Sequence, residues 1–274
     1  MTTPTRRRTL RSRLLVYISR ATSALTTAWN ALAAAQRRLL TALAAIRPGR
    51  GATTRIRAAA AVFQRGIAAF NQTAGAFVEA WAATDLPLIY REGAHQLLDQ
   101  ADRPTSAWTW TARHQAAVTA LSAQYYADLM GRVRETVRRA QAFLRVAQDT
   151  ARGTAFAPDQ LLAEHRLDTV IYAGDHRHPA HAWAQAATSW QTVAVANAGA
   201  ARTALDDLDI SFLEVRDGPD CGWESHDDPD RANRTLRTVA DALAHPAAHP
   251  RCVREFLPRL DLRGRTNITF GAPL

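Results

Sequence analysis

Two apolar stripes separated by a proline–glycine pair constrain this chain more than any other feature. Leu15, Ile18, Thr22, Leu25, Trp29, Leu32, Gln36, Leu39, Leu43 and Ile46 follow one another at alternating steps of three and four residues. Such steps keep one side of an α-helix apolar, because about 3.6 residues complete a turn. Thr22 and Gln36 are the polar interruptions. Pro48 and Gly49 then break the pattern, since proline lacks the N–H of an interior helix bond and glycine adopts backbone conformations other residues avoid. The spacing resumes through Ile56, Ala60, Phe63, Ile67, Phe70, Ala74, Phe77 and Trp81. Two long helices with a short connection fold back on each other, so residues 1–84 are expected to form a basic, heptad-patterned helical hairpin. Trp29 and Trp81 lie on the stripes and are expected in the core. An intramolecular bundle is the expected use of the stripes, with an oligomeric coiled coil or a docking surface as the alternative.

The charge on this hairpin is one-sided. All 34 basic residues are arginine, a usage expected of a GC-rich genome, and the first acidic residue is Glu79. Arg6, Arg7, Arg8, Arg11, Arg13, Arg20, Arg37, Arg38, Arg47, Arg50, Arg55, Arg57 and Arg65 precede it, giving +13 and leaving −4 on the remainder of a total of +9. A basic arm on a near-neutral body implies an anionic partner: nucleic acid, an acidic protein face or a membrane surface. Guanidinium groups grip phosphate bidentately, and Arg6, Arg7, Arg8, Arg11, Arg13, Arg37 and Arg38 are the candidate contacts. No apolar run approaches the roughly 18 residues of a membrane span. The arginine-rich start also resembles an organellar transit peptide, but its apolar pattern continues well past the length of one.

Residues 85–157 read as a further helical region. Pro87 and Pro104 bracket a short helix over 92–100, and a long helix runs from about 107 or 111 to 152 with Val118, Leu121, Tyr125, Val133, Val137, Ala140, Leu144 and Ala147 on its apolar side. Residues 158–274 mix elements. Pro158 starts a short helix, 173–179 is a polar break, and 181–205 is a helix carrying Trp183, Trp190 and Val193. ISFLEV at 210–215 is the best strand candidate, Asp217-Gly218-Pro219 is a turn, 236–244 is a short helix, and 252–262 is a second strand interrupted by Pro258. The fold class is mainly α: a long N-terminal helical hairpin or bundle followed by a small α+β C-terminal module.

Chemistry concentrates in that module. From Val215 the chain reads VRDGPDCGWESHDDPDRAN and later AHPAAHPRCVREFLPR. Cys221, His226, His249 and Cys252 carry two thiols and two imidazoles, a set that completes a tetrahedral zinc site, and His245 is an alternative fourth group. The two cysteines also read as small buried residues or, if the protein matures outside a reducing cytosol, as a disulfide. His226, Asp227, Asp228 and Asp230 suit a metal-dependent nuclease, or a loop whose Asp230 or Asn233 caps the next helix. His176, His178 and His181, beside Asp175, have metal-binding spacing but also suit a solvated loop.

This segment resembles the C-terminal motif of Mu F-like minor head (head morphogenesis) proteins of tailed phages, in the version of actinobacterial phages. Asp217, Gly218, Cys221, Gly222 and Trp223 match its first part, and His249, Pro250, Cys252 and Arg254 match its closing element. The helix SWQTVAVANAGAARTA at 189–204 also resembles the family's helix before the strand, so the likeness covers about 188–262. Many members carry Cys-x2-Cys in the first loop. Here Glu224 follows Cys221, and His226 is the available substitute ligand. The resemblance implies a low-copy, non-enzymatic component of the virion head, assembled in a bacterial host cytoplasm. Its implied partners are portal, major capsid or scaffold proteins, with DNA reached through the N-terminal arginines. It implies that Asp217, Cys221, His249 and Cys252 tie two loops together, with or without zinc, and that Trp223 packs beneath its loop. The alternatives are a metal-dependent nucleic-acid-processing enzyme carried in the virion and a basic helical DNA- or membrane-binding protein.

Overall fold

The structure, a computed structural model, describes residues 9–153, 156–171, 176–217, 232–250 and 252–265. In chain order, helix α1 spans Leu10–Ala44, α2 Ala52–Ala80, α3 Leu86–Gln100, α4 Ala112–Thr150, α5 Pro158–Glu164, α6 Ala180–Leu208 and α7 Val239–Ala244. Strand β1 spans Thr169–Ile171, β2 Arg177–Pro179, β3 Phe212–Arg216, β4 Leu236–Thr238 and β5 Glu255–Pro258. The protein is mainly helical, with small antiparallel sheets toward the C-terminus, as the sequence pattern predicts. Two compact units form: one from Ala21–Ala80 and Tyr126–Ala184, the other from Met1–Arg20, Trp81–Tyr125 and Gln185–Leu274.

In the first unit α1 and α2 make the expected hairpin. Trp29 meets Phe70 edge-on at 4.8 Å, and a Cβ on Gly66 would stand 3.0 Å from the Cβ of Ala35. One index rises as the other falls, which is antiparallel packing. The stripe positions Leu25, Trp29, Leu32, Leu39, Leu43, Ile56, Phe63 and Phe70 are all buried. Gln36 is buried with them, and its polarity has a use: its amide donates to His165 O at 2.6 Å and its oxygen accepts from Leu167 N at 3.3 Å. The seam residue thus satisfies the connection between α5 and β1. Phe63 packs on Phe143 of α4 at 5.5 Å. Arg132 and Arg139 of α4 donate to Ile171 O and Thr169 O, both at 2.8 Å, fixing β1. The polar stretch 173–179 is not wholly a break, because β2 pairs with β1 from Thr169↔Pro179 to Ile171↔Arg177. All three residues of β2 are exposed, so it has no apolar alternation to betray it.

The second unit is built on a close crossing of α3 and α6. Gly93 and Gly199 let the two backbones touch: a Cβ at Gly93 would lie 1.8 Å from Ala196 O, and one at Gly199 would lie 2.0 Å from Tyr90 O. Helix α3 begins at Leu86 rather than at 92. Pro87 sits in its first turn, where proline is tolerated, and a π-helical turn over Trp81–Asp85 precedes it. Trp81 is buried, and its indole N–H donates to Gln191 Oε1 at 2.9 Å. The start of α1 lies in this unit, and there the stripe is offset. Leu10 and Leu14 are buried while Leu15 is 52% exposed. A strict 3.5-residue repeat drifts around a 3.6-residue helix, so extrapolating it to the first turns lands one residue late.

The sheet order is β4-β3-β5, all antiparallel. Central β3 buries Phe212, Leu213 and Val215. Residues 236–238, expected in a helix, form edge strand β4. Helix α7 starts only after Thr238, whose Oγ1 accepts from Asp241 N at 3.1 Å as an N-cap. Pro258 ends edge strand β5, a position that tolerates its missing donor.

Candidate functional site

The register of β3 with β5 brings the two ends of the signature segment together. Val215 faces Phe256 and Arg216 faces Glu255, so one step further Asp217 faces Arg254. Side chains alternate across a strand, which puts Asp217 on the buried side with Val215, and Arg254 on the buried side with Phe256. Their side chains form a two-pronged ion pair, Arg254 Nε to Asp217 Oδ1 at 2.8 Å and Nη2 to Oδ2 at 3.0 Å. Those side chains are only 0% and 1% exposed. The remaining arm of the fork, Nη1, donates to His245 O at 3.0 Å, at the end of α7. One guanidinium therefore joins the end of β3, the start of β5 and the end of α7.

The loop between α7 and β5 is held from its other side by Asn197 of α6. Its Nδ2 donates to Pro246 O at 2.7 Å and to Arg254 O at 2.9 Å, clamping both ends of the loop. Between those clamps lie His249, Pro250 and Cys252. Cys252 N donates to His249 O at 2.9 Å, and the Cys252 side chain is buried against Val193 of α6 and Ala247, with Trp190 alongside. Asn197 was not singled out by sequence reasoning. The available signal is an amide within AVANAGA, an otherwise apolar, small-residue stretch of helix where a buried polar group needs partners.

Of the other expected site residues, Gly218, Cys221, Gly222, Trp223 and His226 lie outside the described residues, as do Asp227, Asp228 and Asp230 of the nuclease alternative. The four-residue zinc set is therefore only half described. Among the described residues no three of His, Cys, Asp and Glu stand together to hold a metal, so His176, His178 and His181 are not gathered. Of the arginines expected to meet an anionic partner, Arg6, Arg7 and Arg8 also lie outside the described residues. Arg11, Arg37 and Arg38 are exposed. Arg13 is engaged within the protein, with Nε 2.7 Å from Glu92 Oε2 and Nη2 donating to Gln96 Oε1 at 3.0 Å.

A second polar cluster, unread in the sequence, links α3, α4 and α6. Tyr90 Oη lies 2.9 Å from His114 Nδ1, and His114 Nε2 lies 3.2 Å from Asp207 Oδ2. A carboxylate accepts, so in a neutral ring Nε2 carries the hydrogen and Nδ1 accepts from the phenol. Tyr90 and His114 are both 0% exposed, with Trp108 and Trp110 packed around them. The arrangement braces three helices and offers its phenol no path to solvent. Burial pushes the Tyr90 phenol well above its usual 10.0, with Asp206 and Asp207 adding to the shift and Arg202 opposing it. Above pH 10 the unfolded chain loses this proton while the folded chain keeps it, so stability falls as pH rises through that window. Lysine, which usually titrates there, is absent. We expect the urea midpoint to drop between pH 9 and pH 11, and Tyr90→Phe to flatten the drop. An equally steep drop in that variant would contradict the assignment.

Compared with known proteins, the chain matches no protein-family model, no curated protein and no solved structure.

Proposed function

We propose that this chain is a minor head protein of a tailed phage, a low-copy structural component near the portal that assists head assembly or genome packaging and delivery. The observation that carries the reading is the interlock of Asp217, Arg254 and Asn197. Asp217 and Arg254 are the outer residues of the segment that resembles the Mu F-like motif, and Asn197 comes from the helix that shares the resemblance. The likeness thus falls on residues that hold one another in place, as the core of a structural module requires. Portal, major capsid or scaffold proteins are the proposed partners, and the virion head is the proposed location. Deleting the gene from the genome that encodes it tests the reading. The expected result is a marked fall in DNA-filled heads, or in infectivity per head, counted by electron microscopy and plating. Normal yield and normal infectivity would overturn it.

A further inference from the structure

The arginines of the α1–α2 hairpin are sorted along its length. Between Arg20 and Arg37 helix α1 carries no charged residue, and neither does α2 from Gly66 to Val78. Arg37, Arg38, Arg47, Arg50, Arg55, Arg57 and Arg65 all fall in the half nearest the turn. The antiparallel pairing of Trp29 with Phe70 and Ala35 with Gly66 sets Arg65 level with the start of that half. Seven positive charges therefore lie within roughly 20 Å of hairpin length, at about 1.5 Å of rise per residue.

All seven are exposed, and among the described residues none lies within ion-pair distance of a carboxylate. The carboxylate whose titration feels Arg37 is that of Asp168, and it is already gripped by Arg166 through bonds of 3.0 and 2.8 Å. Arg13 and Arg20, by contrast, are matched to Glu92 and Asp85. The turn half thus holds like charges together uncompensated, an arrangement that destabilises the free protein slightly and is relieved by an external anion.

We propose that the turn half of this hairpin is a phosphate-binding surface that seats on the backbone of duplex DNA without reading its sequence. One feature favours a regular polyanion over an acidic protein face. The exposed residues between the arginines are largely alanine, threonine and glycine, and Val62 is the one large apolar side chain among them that is well exposed. A protein interface needs an apolar, aromatic-rich centre to bind firmly, whereas phosphate contact needs only positioned donors. Arginine supplies those donors in a planar fork that matches phosphate. The inference rests on the charge layout of the hairpin and not on the minor head reading, so either can fail while the other stands.

The test is a titration of the full-length protein with two labelled duplexes of unrelated sequence, from low to moderate salt. A variant with these seven arginines changed to glutamine is compared with a control carrying Arg234→Gln, Arg263→Gln and Arg265→Gln. We expect equal affinity for both duplexes and a log–log salt slope between about −3 and −6, near −0.9 for each phosphate engaged. The seven-fold variant should keep the wild-type circular dichroism and lose affinity on the order of 100-fold, with a slope close to zero. The control should bind nearly as wild type. Unchanged affinity in a folded seven-fold variant would overturn the proposal. So would binding of poly-L-glutamate as tight as that of DNA, which would assign the surface to an acidic protein.

Discussion

Placing a single methyl group at Gly93 or Gly199 is expected to destabilise this protein more than any other change of that size. At both positions the new Cβ would meet a backbone carbonyl oxygen of the facing helix, at 1.8 Å from Ala196 O or 2.0 Å from Tyr90 O. A flexible side chain can rotate away, but a carbonyl inside a helix moves only with its helix. Separating α3 from α6 by the missing distance would disturb the buried contacts that line both, among them Ile89, Leu97, Val195 and Ala201. It would also disturb the hydrogen bond from Trp81 to Gln191. Overpacking typically costs about 1–3 kcal/mol and more where the backbone must shift, so we expect at least about 3 kcal/mol for Gly93→Ala and for Gly199→Ala. That corresponds to a melting temperature lower by on the order of ten degrees. Gly75→Ala is the control, because its added Cβ would meet nothing within 4 Å. It should be neutral or slightly stabilising, as alanine is the better helix former. Equal melting temperatures for Gly93→Ala and Gly75→Ala would refute the close crossing.

Arg254→Met is the second large effect. The substitution keeps most of the side-chain volume and removes the guanidinium, leaving the Asp217 carboxylate at 1% exposure without its bidentate partner. His245 O loses its donor as well. Removing one member of a buried pair costs about 3–5 kcal/mol, most of it the penalty for a buried, uncompensated charge. The same reasoning predicts that the double variant Asp217→Leu with Arg254→Met regains much of the loss, since an apolar pair of similar volume is often no worse than a buried ion pair. Arg254→Lys should fall between, because one ammonium cannot reach two carboxylate oxygens and His245 O together. Denaturant midpoints of the four proteins check this directly. If Arg254→Met unfolds at the wild-type midpoint, the ion pair does not hold the module.

The helical part of the fold was legible because it obeys a period. A stripe of threes and fours states which side of a helix is buried, and Trp29, Phe63, Phe70 and Tyr125 lie where the stripe puts them. Its failures are local. Leu15 is exposed because a strict repeat drifts around the helix, and Pro87 was read as punctuation although a first turn accepts proline. Strand β2 has no signature in the sequence because Arg177, His178 and Pro179 are all exposed and show no apolar alternation. Leu236 to Thr238 carries no alternation either, and only the N-cap at Thr238 separates strand from helix.

The site divides in the same way. Asp217 and Arg254 could be named from the motif, but their meeting depends on the β3–β5 register, which joins residues 37 positions apart. No local pattern encodes that distance. Asn197, Tyr90, His114 and Asp207 are single polar residues in helices, and a sequence gives them no partners until the helices are packed. The sorting of arginine toward the hairpin turn was present in the sequence from the start. It gained meaning once α1 and α2 were paired and Arg13 and Arg20 proved to have carboxylate partners.

A chain that is a structural part of a phage head, as proposed, stays in the finished particle, and a protein count there tests this most directly. Particles produced from the genome that encodes this chain would be purified through a density gradient and measured by quantitative mass spectrometry against the major capsid protein. The chain is expected at a few copies per particle and should remain after washing in high salt. Its absence from particles that contain portal and capsid proteins in normal ratio would contradict a role as a minor head protein.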